Sequence, residues 1–280
     1  MCKHAAVGSY ATKSNRYCAL QQIATQLKQL GYRLKSARNI KPKHIEALVG
    51  HWKDEGLTAG TIKNRMTHLR FWAEHVGKKS IMKKTNDDYG IESRRLFKGN
   101  KAQQLDLEKL ESIGCEYIKM ALRLQAAFGL RREEALKFRP SLADKHDKIV
   151  LKASWTKGGK ERTIPVTTKR QRDLLNEAHE LVGNNSLIPN SKSYMNQINT
   201  YKHETAKAEM GKLHGLRHNY AQWRYKVLTG GMIPRLDGGK PYAEMTEEEK
   251  LLDTIARETI SAELGHARLD VTNVYLGGRS

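Results

Sequence analysis

The sequence has few cysteines, few prolines and no long apolar run, and each shortage excludes a class of protein. Its three cysteines, Cys2, Cys18 and Cys115, are odd in number and far apart, which excludes a disulfide framework and a cysteine-based zinc site. No apolar stretch approaches the roughly 18 residues of a membrane-spanning helix, and the basic N-terminus lacks the apolar block of a signal peptide. With 39% hydrophobic residues and only 6 prolines, the 280 residues can fold into two ordinary domains. We therefore expect a folded cytoplasmic protein.

Acidic residues are scarce as well. The chain has 30 Asp and Glu against 50 Lys and Arg, a formal net charge of +20. Such a surplus predicts an anionic partner, most often nucleic acid, although a ribosomal or merely solvated basic surface gives the same count. The charge is uneven: residues 1–85 contain 17 basic and 4 acidic residues, whereas residues 241–263 contain 7 acidic and 2 basic ones. A basic coat alone would be more uniform.

The basic N-terminal segment, residues 1–85, predicts a helical domain of about four short helices. Apolar residues recur every three or four positions up to Gly31, again after Pro42, and a third time between Thr58 and Val76. A small bundle with a solvated surface is the alternative to a DNA-binding domain. The residues that we expect to contact DNA from this segment are Lys63, Arg65, Arg70, Lys83 and Lys84.

The rest of the chain predicts a linker followed by a mixed domain. Periodicity fades over residues 86–104, where lysines and turn formers accumulate, so we expect a basic linker there. Residues 105–280 then predict a mainly helical domain with one β-hairpin, its two strands lying within 148–154 and 161–166. The net-acidic segment predicts an insertion at about 230–255 on the DNA-distal side, facing either solvent or a basic surface of a neighbouring protomer.

Four short segments of the second domain carry the functional argument. Arg131 and Glu134 lie at a turn into a helix, Lys157 lies at the hairpin tip, His214 and Arg217 are three residues apart, and a Leu-Gly-His motif precedes Tyr275 by nine residues. Each segment alone has an ordinary explanation, such as a helix ion pair for the first or a buried aromatic for Tyr275. His214 and His218 also have the i, i+4 spacing of metal ligands, but no Glu follows His214 as in a zinc protease.

Together, the segments contain every group that a metal-free phosphoryl transfer requires. Two arginines can bind the oxygens of a phosphodiester with forked donors, and fixed cations stabilise the charge of the transition state. Histidine and lysine can move protons to and from the attacking and leaving oxygens, and a tyrosyl oxygen can attack phosphorus.

The ordered set Gly-Leu-Arg131-x-x-Glu134, hairpin Lys157, His214-x-x-Arg217, Leu-Gly-His266 and Tyr275 resembles the tyrosine recombinase (phage integrase) family. The resemblance covers about residues 105–276, and the N-terminal segment is similar to the core-binding (SAM-like) domain of that family. It implies a site-specific recombinase of the type carried by phages and other mobile elements. The implied partner is duplex DNA bound by four protomers on two duplexes, with accessory DNA-bending proteins as further candidates. The expected location is the bacterial or phage-host nucleoid.

The resemblance also implies a role for each matching residue, without a metal or another cofactor. Tyr275 attacks the scissile phosphate and forms a 3′-phosphotyrosyl bond, while Arg131 and Arg217 hold that phosphate. His214 is implied as the base and Lys157 as the acid for the departing 5′ oxygen. The remaining implied roles are a hydrogen bond from His266 to the phosphate, support of the site by Glu134, and DNA contact or the alternative acid role for Lys160.

Two features depart from the family pattern. Arg217 and His266 are 49 residues apart, a longer separation than the family usually has, and only five residues follow Tyr275, where many relatives have a further docking helix. Two rival functions remain open at this point: a DNA-binding regulator that keeps the fold without the reaction, and a metal-dependent nuclease that uses His214 and His218.

Overall fold

The computed structural model describes residues 7–92, 99–266 and 268–279. Cys2 and the centre of the predicted linker, residues 93–98, lie outside these described residues. The chain divides into two compact units, Met1–Leu96 and Phe97–Ser280. No helix among the described residues is long and apolar enough to cross a membrane.

The N-terminal unit is built from three α-helices within residues 7–92, not the four or so that we predicted. They are α1 (Tyr10–Gln29), α2 (Pro42–Asp54) and α3 (Ala59–His75). Pro42 occupies the first turn of α2, where its missing N–H costs nothing, and the Thr58 side chain caps α3. Single 3-10 turns, Ala37–Asn39, Lys79–Ile81 and Asp87–Tyr89, complete the unit.

The predicted linker, residues 86–104, is packed at both of its described ends. Tyr89 and Ile91 are buried in the core of the N-terminal unit, although turn-forming residues surround them. At the other end, the Gln103 amide donates to the Gly215 carbonyl, and a Cβ on Gly215 would lie 2.6 Å from the Lys101 carbonyl oxygen. The turn-forming residues therefore correctly indicated irregular backbone here, but irregular backbone can still be packed against a folded unit.

The second unit is mainly helical with one antiparallel hairpin, as predicted. Its core forms around α5, which packs against α6, α8, α9 and α10. The hairpin pairs Ile149 with Ile164 and Leu151 with Arg162. The elements are α4 (Leu107–Glu111), α5 (Glu116–Phe128), α6 (Arg132–Lys137), α7 (Pro140–Ala143), β1 (Lys148–Leu151), β2 (Arg162–Pro165), α8 (Lys169–Val182), α9 (Tyr194–Lys207), α10 (Gly215–Leu228), α11 (Glu247–Leu264) and α12 (Asn273–Leu276).

The acidic segment is only partly an insertion, which corrects our prediction for residues 230–255. Loops and two 3-10 turns, Arg235–Asp237 and Tyr242–Glu244, occupy its first part. The remainder is the start of α11, a core helix whose Ala256 and Ile260 are fully buried. Its Asp253 is also fully buried. Net charge could not distinguish an exposed acidic loop from a helix whose carboxylates neutralise internal arginines.

Candidate active site

Tyr275 and His214 are in hydrogen-bonding contact. Tyr275 lies on the short helix α12 and is buried, and its hydroxyl oxygen is 3.2 Å from Nε2 of His214. His214 is the residue that precedes α10, and Thr272 precedes α12, so two helix starts bring these groups together. Burial lowers the pKa of His214, and the charges of Arg217 and Arg131 lower it further. At neutral pH the imidazole is therefore uncharged and can accept a proton.

Arg217 lies next to this pair, on α10, and is 1% exposed. Its guanidinium donates to the carbonyl oxygens of Gly129 and Leu264, and its central carbon is 5.9 Å from the Tyr275 ring centre. Gly129 has a φ of +60°, and a Cβ there would lie 2.6 Å from the Tyr220 ring, so this turn requires glycine. Burial and the charge of Arg131 lower the pKa of Arg217.

Glu134 joins two arginines at the base of the site. It is fully buried, and its two carboxylate oxygens accept hydrogen bonds from the Arg131 guanidinium at 2.8 Å and the Arg162 guanidinium at 2.6 Å. It also accepts from the Arg131 amide at 2.6 Å, which caps α6. Burial alone would raise the pKa of Glu134, but Arg162 and Arg131 hold it below its usual value.

The Arg131 side chain is 23% exposed, in contrast with the buried Arg217. One of its terminal nitrogens is bound to Glu134, so the orientation of the guanidinium is fixed while part of it stays accessible. Arg131 is therefore more accessible than Arg217 and can meet an incoming anion.

Arg162 is a site residue that the sequence reasoning missed. It lies on β2, is 6% exposed, and donates to the Leu264 carbonyl at 2.7 Å as well as to Glu134. Burial lowers its pKa to about 9. The available signal was strand alternation: Arg162 and Ile164 are buried and Thr163 between them is exposed, which makes Arg162 an inward-facing charge.

His266 stacks on the Tyr275 ring, with the ring centres 5.1 Å apart. Its Nδ1 is 3.0 Å from the hydroxyl of the buried Thr272, another residue that the sequence reasoning missed. Its Nε2 is buried and has no hydrogen-bond partner within the described residues. Burial lowers the pKa of His266 to about 3, with Arg217 as the next cause, so the ring is neutral.

His218 also contacts the tyrosine, although we had considered it only as a metal ligand. Its ring centre is 4.3 Å from that of Tyr275, and its ring meets His214 edge to face at 5.5 Å. Burial lowers its pKa to about 4, followed by the effects of His214 and Lys101. Within residues 7–92, 99–266 and 268–279, no group of three or more His, Cys, Asp or Glu is arranged to hold a metal ion.

Lys157 and Lys160 lie exposed on the loop that joins β1 to β2. The Thr156 hydroxyl donates to the Lys160 carbonyl at 2.6 Å and closes this loop. The structure therefore brings Arg131, Glu134, His214, Arg217, His266 and Tyr275 together and leaves both lysines on a neighbouring exposed loop. The loop is anchored beside the site because Arg162, at the start of β2, is part of the site.

The five predicted DNA contacts of the N-terminal unit differ in their surroundings. Arg70 donates to the Lys83 carbonyl at 2.7 Å, and Lys83 forms an ion pair with Glu46 at 2.9 Å, so both side chains hold the unit together. The Arg65 guanidinium is 5.3 Å from the Trp52 ring centre. Lys63 is half-buried on α3, and Lys84 is exposed.

Comparison with known proteins identifies two family models in the sequence. A family model described as "Phage integrase, N-terminal" matches residues 1–82, and one described as "Integrase" matches residues 98–223. No curated protein matches the sequence.

Three solved structures with the same fold illustrate the similarity. A lambda integrase dimer bound to a COC′ core site has a TM-score of 0.62 at 14% identity, covering 98% of this chain and 91% of that chain. The Tn1549 transposon integrase in complex with circular intermediate DNA has a TM-score of 0.57 at 15% identity, covering 99% and 93%. The XerH recombinase bound to a palindromic difH substrate has a TM-score of 0.55 at 18% identity, covering 98% and 78%.

The fold and the matched integrase domains define the class, an enzyme that recombines DNA at specific sites. Within that class, the two matched models together cover residues 1–82 and 98–223, and the chain belongs to the tyrosine recombinase (phage integrase) family.

Proposed function

We propose that this recombinase cuts and rejoins duplex DNA through a 3′-phosphotyrosyl intermediate, without a metal ion or ATP. The observation that carries the proposal is the 3.2 Å contact between the Tyr275 hydroxyl and Nε2 of His214, beside two arginines. A nucleophile, a base and a set of fixed cations within one site are the parts that a covalent phosphoryl transfer requires.

In the first step, the Tyr275 oxygen attacks the scissile phosphorus. Its proton passes to the neutral His214, a new P–O bond to tyrosine forms, and the bond from phosphorus to the 5′ oxygen breaks. The phosphate stays attached to the 3′ oxygen of the DNA, so the energy of the broken bond is stored in the tyrosyl ester. This is why no nucleotide cofactor is needed.

The phosphate would be held by Arg131, Arg217 and His266. Arg131 is partly accessible, and Nε2 of His266 is buried beside the Tyr275 ring without a partner among the described residues. When the Thr272 hydroxyl donates to Nδ1 of His266, Nε2 carries the proton and can donate to a phosphate oxygen. Glu134 positions Arg131 by accepting a hydrogen bond from its guanidinium.

The departing 5′ oxygen needs a proton, which we assign to Lys157, with Lys160 as the alternative. Both lysines are on the exposed loop next to β2, close in sequence to the site residue Arg162. In the reverse step, a 5′-hydroxyl from another strand attacks the tyrosyl ester, the lysine accepts its proton, and His214 returns a proton to Tyr275. Because the new 5′ end comes from another strand, the result is recombination.

We further propose that four copies act together on two DNA duplexes in the cytoplasm of the host cell, at the nucleoid. Lambda integrase has been solved as a dimer on a core site and as a tetramer on a Holliday junction, which supports this assembly. Lys63, Lys84 and Lys160 are the strongest candidates for further DNA contacts. Accessory DNA-bending proteins are an additional proposal that the family resemblance supports.

The reaction can be tested without knowledge of the target sequence. A pool of nicked duplexes with randomised sequence around the nick is incubated with the protein and then denatured, and protein-linked DNA is recovered and sequenced. We expect covalent adducts enriched in one sequence, formed equally well in the presence of EDTA. The matched control is Tyr275→Phe, which should bind DNA and form no adduct.

Three results would overturn the proposal. They are DNA-bound protein that gives no adduct, an adduct that persists in Tyr275→Phe, and an adduct that disappears with the chelator. The first would favour a DNA-binding regulator, whereas cleavage of the DNA without any adduct, abolished by the chelator, would favour a metal-dependent nuclease.

A further inference from the structure

One face of α11 is both apolar and acidic, and it is exposed. Leu251 is 61% exposed and Ile255 is 50% exposed, one helical turn apart. Glu248 and Glu258 flank them at helical spacing on the same face and are exposed too. The opposite face of the helix is in the core of the second unit. This exposed pair of large aliphatic side chains between carboxylates is an amphipathic surface that a partner can cover.

The N-terminal unit contains a groove with the opposite charge. It has a volume of about 640 Å³ and runs between α1, the segment after it, and α3. Its walls and floor are mostly apolar, and Tyr17 on one wall is 43% exposed. Lys28, Arg33 and Lys35 lie along it and are exposed. The groove therefore combines an apolar floor with a basic rim.

We propose that the exposed face of α11 of one copy docks into the N-terminal groove of a second copy. Leu251 and Ile255 would enter the apolar floor, as an amphipathic helix does in a hydrophobic groove. Glu248 and Glu258 would lie near the basic rim, which favours an acidic helix over a basic one. This proposal deepens the assembly suggested above by naming the surfaces that join its copies, and it does not depend on the tyrosine chemistry.

Charge complementarity favours a second copy as the occupant. The DNA backbone is charged and would not bury the apolar floor, and a basic partner would be repelled by the basic rim. The acidic helix that matches both features is present in every copy of this chain. The resulting contact is head to tail, because one copy uses its helix and the next its groove. Such contacts close into rings when the rotation between copies allows it, and a ring of four would suit two duplexes.

The first test is self-association of the full-length protein, measured by sedimentation velocity over a range of concentrations without DNA. Ile255→Glu should weaken association roughly ten- to hundredfold, because an aliphatic side chain would be lost from the groove. Met195→Glu is the matched control: Met195 is 59% exposed on α9 and outside both surfaces, so this variant should associate like the unmodified protein.

A charge-exchange pair separates docking from misfolding. Variant one carries Glu248→Lys and Glu258→Lys, and variant two carries Arg33→Glu and Lys35→Glu. Each variant alone presents like charges on helix and rim, so each should associate weakly. When the two are mixed, the basic helix of variant one meets the acidic rim of variant two, and the acidic helix of variant two meets the basic rim of variant one. Association should return in the mixture.

The docking proposal is overturned if the unmodified protein stays monomeric throughout, if Ile255→Glu associates normally, or if the mixture does not regain association. A helix that docks within its own copy would give the first of these results. Tyr275→Phe should associate like the unmodified protein while forming no DNA adduct. Loss of the adduct and loss of association are therefore separate outcomes, and either proposal can fail alone.

Discussion

At the scale of single residues, the site is held together by charges that do not touch the tyrosine. Glu134 fixes Arg131 and Arg162, and Arg162 reaches on to the Leu264 carbonyl, one residue before the Gly265-His266 turn. Arg162 is thus a positioning residue that connects the strand, the α6 turn and the segment carrying His266. Its substitution should affect the reaction without any direct contact with DNA.

Arg162→Lys tests this connection. A lysine has one compact ammonium group and cannot serve Glu134 and Leu264 in the same geometry. We expect the rate of adduct formation to fall on the order of ten- to a hundredfold, because small displacements of catalytic groups are costly. Unfolding by urea should show a loss of about 1–3 kcal/mol. Arg170→Lys, at an exposed position on α8, should change neither quantity.

The histidines of the site predict how stability depends on pH. The folded protein lowers the pKa of His214, that of His218 to about 4 and that of His266 to about 3. Well above pH 6.5, the usual histidine pKa, the rings are neutral in both states. Below it the unfolded chain binds protons that the folded protein does not, so the free energy of unfolding should fall as the pH decreases.

Urea unfolding between about pH 7.5 and 5.5 measures this effect above the usual carboxyl pKa values of 3.8 and 4.5, where carboxylates contribute little. His218→Phe keeps an aromatic ring against Tyr275 and removes one titrating group. Its pH slope should be smaller by up to one bound proton. An unchanged slope would show that His218 does not titrate differently in the folded and unfolded states.

At the scale of elements, local signals in the sequence predicted most helices well. Helices begin at or directly after Pro42, Thr58 and Asp106, and Thr246 forms a capping box with Glu249. These signals can be recognised in the sequence because a capping residue bonds to the backbone of the adjacent helical turn. Strand alternation could mark Arg162 as inward-facing, but the contacts of Arg162, His218 and Asp253 with residues far away in the chain were not predictable from the sequence.

Helix α11 gives the clearest element-scale prediction, through Asp253. This buried carboxylate accepts hydrogen bonds from the Tyr225 hydroxyl at 2.7 Å, Arg257 at 2.8 Å and Arg279 at 2.9 Å. Asp253→Asn keeps the shape and removes the charge that balances the two arginines. Urea unfolding should show a loss of about 3–5 kcal/mol. Glu180→Ala, at an exposed helical position on α8, should stay within about 0.5 kcal/mol of the unmodified protein.

At the scale of the whole molecule, the net charge of +20 predicts strongly salt-dependent binding to any duplex. Each phosphate neutralised contributes about −0.9 to the slope of log affinity against log salt concentration, because counterions are released. Lys84→Gln should make the slope shallower by about that amount, measured by fluorescence anisotropy. Lys119→Gln is the control, since Lys119 already forms ion pairs with Glu111 and Glu116. A salt-independent affinity would contradict the charge argument altogether.

The two carbonyls that hold Arg217 have a consequence for the resting enzyme. They belong to the C-terminal ends of α5 and α11, where the aligned peptide dipoles concentrate partial negative charge. The two helix ends thus add to the Glu134 carboxylate in compensating the charge of this buried cation. Because these helix ends are dipoles and not full anions, they neutralise only part of the positive potential of Arg217. The site can therefore fold with Arg217 in place and keep a positive potential that attracts a phosphate.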